Sequence, residues 1–242
     1  MAFLRIVLFA SFVGVTLAAE WNCSTTSGTF TRSTDCVVSS QIVVTGKLNV
    51  TGIPDANGVL PKIIGGGSNR LFKVESGGEL VVKYLICEGG SAESSSDANG
   101  GAIFVSGSNS NLYIENSIIR KCTALWAGGA VYVEEGAVVN ICASRLMLNE
   151  AKVGGAISVS NAKLVMRNGS FIMNNTAADY TNVLLDGDGF IALHCSSIGT
   201  CGGTGGTKVY TPDSQTGYTV TSSVDTYTNS YYFYMEYMFN GM

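Results

Sequence analysis

Apolar and polar positions alternate in short runs along most of this chain. Ile103 and Val105 flank Phe104, Leu112 and Ile114 flank Tyr113, and Val139 and Ile141 flank Asn140. A period of two predicts strands that bury one face and expose the other. Gly, Asn and Ser separate the runs, which predicts tight corners between them. No stretch carries apolar residues at helical spacing long enough for the crossover helix of a βαβ unit.

Two frames recur along this pattern. Gly100-Gly101-Ala102-Ile103-Phe104-Val105 returns as Gly128-Gly129-Ala130-Val131-Tyr132-Val133 and as Gly154-Gly155-Ala156-Ile157-Ser158-Val159, at spacings of 28 and 26 residues. A second frame begins at Ser117, Ser144 and Ser170. It has an apolar residue two on, Cys122, Asn149 or Asn175 five on, and Ala124, Ala151 or Ala177 seven on. Strands that return at this period without helices can stack parallel, each bonded to its counterpart one coil away. The expected fold is all-β, a right-handed parallel β-helix with about 26–28 residues per coil. Ile103, Val131 and Ile157 are expected to form one buried ladder and Val105, Val133 and Val159 another. The Gly-Gly pairs fit corners needing positive φ or close backbone approach, and Asn149 and Asn175 are expected to stack through their amides. The frames place the helix over 41–205, after an N-terminal cap segment at 19–40. The segment Gly89 to Asn99 is expected to project as a polar loop.

The remaining residues set the context. Met1 to Arg5 precedes an apolar run from Ile6 to Val15 and then small residues, which predicts a signal peptide over 1–18 rather than a membrane anchor, for which the run is short. Seven cysteines fit an oxidising destination. Cys23 with Cys36 and Cys195 with Cys201 could each close a small loop, and the odd total leaves a thiol unpaired. Zinc is the competing use, but the chain has no C-x-x-C and one histidine, His194, so no metal and no cofactor are expected. Sequons at Asn22, Asn49, Asn168 and Asn174 are possible N-glycosylation positions. Charged residues make up 13% of the chain, with a net charge of −4 and no basic cluster, which argues against nucleic acid as partner. No later stretch is apolar enough to span a membrane, so a secreted or cell-surface location is expected. Residues 206–242 are rich in Thr, Ser and Tyr and read as a cap over the open end of the solenoid or as an aromatic association surface.

The repeated Gly-Gly-Ala-[Ile/Val], with a later apolar-x-x-Asn, resembles the repeats of the polymorphic outer membrane proteins. The likeness covers roughly residues 70 to 200. The second motif reads Leu146-x-x-Asn149 and Ile172-x-x-Asn175, with Ile119-x-x-Cys122 before them, where the family has Phe-x-x-Asn. The resemblance implies a parallel β-helix at a cell surface. Roughly 40 residues follow the last expected coil, too few for the outer-membrane barrel that carries the bacterial members. A free or non-covalently attached surface protein is therefore expected.

Parallel β-helices also carry polysaccharide lyases, hydrolases and epimerases. Acid–base work on a sugar needs two carboxylates at a set separation, or a base with a cation. Asp186-Gly187-Asp188-Gly189 holds two carboxylates at i and i+2. On a strand the two carboxylates would share a face; in a turn they would serve the backbone. His194 is a lone histidine, and Glu134-Glu135 reads as a solvated corner. The expectation is a secreted non-catalytic β-helix acting in adhesion, a cell surface or a matrix. A carbohydrate-active enzyme using Asp186 and Asp188 is the alternative. Phe104 and Tyr132 are the candidate binding residues on its flank, and an extracellular polysaccharide or surface protein is the expected partner.

Overall fold

The computed structural model describes residues 18–93, 98–193, 197–198, 200–204, 208–210, 218–225 and 230–237. The expected signal segment therefore lies outside the described residues, apart from Ala18. Among the described residues there is no helix; the strands form four sheets, three of them long and mostly parallel. The chain visits the long sheets in rotation. Cys36–Val38 lies in sheet II, Ile42–Val44 in sheet III and Lys47–Gly52 in sheet I, after which Lys62–Gly65 returns to sheet II. The same rotation repeats through Thr200–Thr204.

Register follows the apolar alternation. In sheet III, Ile103 pairs with Phe72 and Val131, and Val131 with Ile157, which pairs with Val183. Val105, Val133 and Val159 align in the same way. Leu80, Leu112, Val139 and Leu164 align in sheet I, and Ile119, Leu146 and Ile172 in sheet II. All are buried. The three rows converge on one continuous core. Each such side chain contributes about 1.5–3 kcal/mol on leaving water.

Two expectations change. The circuit is not uniform in length: Leu48 pairs with Leu80 and Leu80 with Leu112, 32 residues apart, whereas Leu112 to Val139 is 27. The long corners before residue 100 make the difference. The segment 19–40 is joined to sheet I from its start: Gly28–Arg32 pairs in parallel with Lys47–Gly52 and Ala19–Glu20 pairs with Gly28–Arg32. Its closing element is Trp21, fully buried and stacked on Phe72 with ring centroids 5.9 Å apart. The stretch Gly89 to Asn99 is also not wholly a projecting loop. Ser91–Ala92 forms a strand paired with Thr123–Ala124, and both Ser91 and Ala92 are buried. Their small side chains let the two corners pack together, which makes the fourth sheet.

Toward the C terminus, Lys208–Tyr210 continues sheet I. Ser230–Tyr237 pairs antiparallel with Thr200–Thr204 and with Tyr218–Asp225, extending sheet III as a hairpin. No helix among the described residues is long and apolar enough to cross a membrane.

Candidate functional site

The repeat motifs build the corners. Gly100, Gly128 and Gly154 have φ of 65°, 64° and 56°, the left-handed region that glycine enters without strain. The glycine after each is needed for a different reason. A Cβ on Gly129 would lie 2.3 Å from the Gly155 carbonyl oxygen, and one on Gly155 would lie 2.3 Å from that of Thr181. One motif thus meets a backbone requirement and a close approach in consecutive residues. Hydrogen bonds align Tyr180-Thr181-Asn182 with Gly154-Gly155-Ala156, and Tyr180 has φ of 57°. It is a further copy of the corner without glycine.

Two polar ladders join the circuits at the two ends of the sheet II strands, Asn residues after them and Ser residues before them. Asn149 Nδ2 donates to Asn175 Oδ1 at 3.0 Å and to the Ile119 carbonyl at 3.1 Å, while Asn149 Oδ1 accepts from the Cys122 amide at 3.1 Å. Asn175 Nδ2 donates to Asn182 Oδ1 at 2.9 Å. Ser144 Oγ accepts from the Ser117 amide at 3.1 Å, and Ser170 Oγ from the Ser144 amide at 3.3 Å. Burial of all these residues is tolerable because their polar atoms are paired.

The expected flank residues Phe104 and Tyr132 lie in adjacent strands of sheet III and stack with centroids 5.4 Å apart. Arg70 and Lys73 lie over the Phe104 ring at 5.0 and 5.7 Å, and Phe104 is buried, so its ring is not an open platform. Burial, together with the neighbouring Glu134 carboxylate, pushes the Tyr132 hydroxyl up to about 12. Asp186 ends the strand Val183–Asp186, and Asp188 lies in the turn that follows. Asp186 Oδ1 accepts from the Gly187 amide, and the Asp188 amide donates to Asn161 Oδ1 at 3.0 Å. The two carboxylates therefore do not share a strand face. Register places Asp186 beside Ser160 and Ser160 beside Glu134, an alignment sequence reasoning did not assemble.

A concavity lies on the fourth side. A groove of about 790 Å³ has Ala124, Ala151 and Ala177 along it. Thr123, Glu150 and Thr176 stand on one side, and Glu93, Leu125, Lys152 and Ala178 on the other. Thr123 bridges to Glu150 and Glu150 to Thr176 in parallel, so the groove runs across the strands rather than along them. From the row of Glu93 to that of Ala178 it crosses three strand steps, about 14 Å. Leu125 and Trp126 are exposed beside it, 54% and 52%, with Lys152 Nζ 4.0 Å from the Trp126 ring centroid. The Ala at the end of each Ser frame was the available sequence signal, together with the exposed Leu125-Trp126 pair beside one copy.

Cys23 and Cys36 form a disulfide. The Cys195–Cys201 pairing involves side chains outside the described residues. Cys87, Cys122 and Cys142 are free, the first two buried. Burial pushes the Cys87 thiol strongly up and that of Cys122 up to about 12. Of the sequons, Asn22, Asn168 and Asn174 are exposed and Asn49 is half-buried in its strand. No grouping of metal-ligating side chains occurs among the described residues. Comparison with family models, curated proteins and solved structures finds no match to this chain.

Proposed function

We propose that this chain is a secreted right-handed parallel β-helix of the polymorphic outer membrane protein repeat type. In this reading it acts without catalysis at a cell surface or in a matrix, holding an extended extracellular polysaccharide in the groove of its fourth side. The groove carries the reading. It is long and shallow, crosses several circuits, and sets a row of alanines between Thr123, Glu150 and Thr176 on one side and Glu93, Leu125 and Lys152 on the other. Such a mixture suits a sugar ring, which has apolar C–H faces and a polar edge. The rotation of the chain through three parallel sheets and the disulfide support the solenoid and an oxidising destination.

One observation favours the second reading, a carbohydrate-active enzyme: Glu134 and Asp186 stand in register on either side of Ser160, beside Tyr132. Proton NMR of algal, plant and bacterial polysaccharides with the mature protein separates the two. Anomeric signals of one polymer are expected to broaden without shifting, and the broadening should be lost in Trp126→Ala and Ala151→Leu. New anomeric signals abolished by Asp186→Asn would instead establish the enzyme. Sharp, unchanged spectra throughout the panel would overturn polysaccharide binding.

A further inference from the structure

We propose that Asn174 carries an N-linked glycan whose first sugar covers an apolar hollow on the outer face of sheet II. The inference rests on the export reading above. The hollow, about 300 Å³, is lined by Arg145, Met147, Phe171 and Met173. Met173 is 42% exposed, although a thioether gains nothing from water. Asn174 follows Met173 directly, at the end of the strand Phe171–Met173, and turns the chain with φ of 56°.

Asn174 differs from the other three sequons. The Asn168 amide nitrogen donates to Cys142 Sγ at 3.1 Å. Asn49 accepts from Thr51 within its strand, and Asn22 Oδ1 accepts from the amides and hydroxyls of Ser24 and Thr25. The Asn174 side chain has no hydrogen-bond partner among the described residues. Asn174 and Thr176 are both exposed, while Asn175 between them is committed to the buried ladder. The motif therefore offers its acceptor amide and its hydroxyl to solvent and hides the residue between.

The donor is a lipid-pyrophosphate oligosaccharide. A C–N bond forms between Asn174 Nδ2 and the anomeric carbon, and the bond from that carbon to the pyrophosphate oxygen breaks. The lipid pyrophosphate leaves with the electron pair, and the amide gives up one proton. The attached ring is then tethered beside Phe171 and Met173, and its C–H face packs on them as an aromatic neighbour would.

The test uses the full chain secreted from a eukaryotic cell line, with glycopeptide mass spectrometry at each sequon. Asn174 is expected to be occupied. Trimming the glycan to one sugar with an endoglycosidase should leave the urea midpoint unchanged. Asn174→Gln, which lacks the glycan, should lose about threefold to tenfold in folding equilibrium constant. Secretion with another sequon occupied and Asn174 bare overturns this proposal alone. An occupied Asn174 whose loss leaves the midpoint unchanged overturns the covering of the hollow. Retention in the cell with every sequon bare overturns the export reading and this proposal together.

Discussion

Alanine at Gly155 and alanine at Gly169 should have very different effects, because the two glycines serve different needs. At Gly155 φ is not positive, so conformational freedom is not at issue, but a Cβ would sit 2.3 Å from the Thr181 carbonyl oxygen and 2.5 Å from that of Thr176. Ordinary contact begins near 3.4 Å, so the next circuit must retreat by about 1 Å, which overpacking data put at about 1–3 kcal/mol or more. The retreat also strains bonds that join the circuits at this corner, from Gly155 N to Tyr180 O (3.2 Å) and from Ala156 N to Asn182 O (3.0 Å). Each contributes about 0.5–1.5 kcal/mol net. The total for Gly155→Ala is therefore about 2–6 kcal/mol, a large share of a typical domain's stability. Gly169 has φ of 68° and nothing within 4 Å of its Cβ position. Its replacement costs about 1–2 kcal/mol for a left-handed alanine, offset by about 0.4–1 kcal/mol from a less flexible unfolded chain. Urea unfolding followed by far-UV circular dichroism measures both. Equal midpoints for the two variants, or a more stable Gly155→Ala, would refute the close-approach account of the second glycine.

Asn149→Leu leaves the Cys122 amide and the Ile119 carbonyl without their buried partner and should cost about 2–6 kcal/mol in the same assay. Leu148→Asn should stabilise. Leu148 is 49% exposed with φ of 58°, in a column with Gly89, Lys121 and Asn174 that all have positive φ, and Asn tolerates that conformation better. A rise of about 2–4 °C in Tm corresponds to 1 kcal/mol for a chain of this size; a fall would contradict the reasoning. Alkylation of the native protein at pH 8 should label Cys142 and spare Cys87 and Cys122, whose burial keeps the thiolate from forming. Peptide mapping after labelling checks this, and equal labelling of Cys87 and Cys142 would count against it.

The corners were readable in the sequence because each imposes a narrow demand on a residue. Few alternatives to Gly-Gly meet a positive φ followed by a backbone contact at 2.3 Å, and few to Asn join the amide of one circuit to the carbonyl of another. The alternating core was readable for the same reason. Where a demand could be met in several ways, the signal disappeared. Tyr180-Thr181-Asn182 fills the same corner with a strained tyrosine, so its place in the repeat shows in register alone. Trp21 gives no periodic signal, since only one residue is needed to close an end. The groove arises between circuits, from Thr123 and Glu150, Leu125 and Lys152, residues 27 apart whose neighbourhood depends on the intervening corner lengths. Asp186 and Glu134 are 52 positions apart and aligned for the same reason.

The stacking register makes length in this protein come in quanta. Val131 sits on Ile157 with every inward position matched, so removing residues 131–156 would join Ala130 to Ile157 just as Ala156 is joined now. Each surviving column would close up by one step, Ser117 meeting Ser170 and Cys122 meeting Asn175. Removing a single residue from the strand Val131–Glu134 would instead turn its inward side chains outward, against both neighbouring strands. Gain or loss of whole circuits is thus a milder change for this chain than a frame-preserving deletion of one codon, and a groove that spans several circuits can be lengthened or shortened without being redesigned.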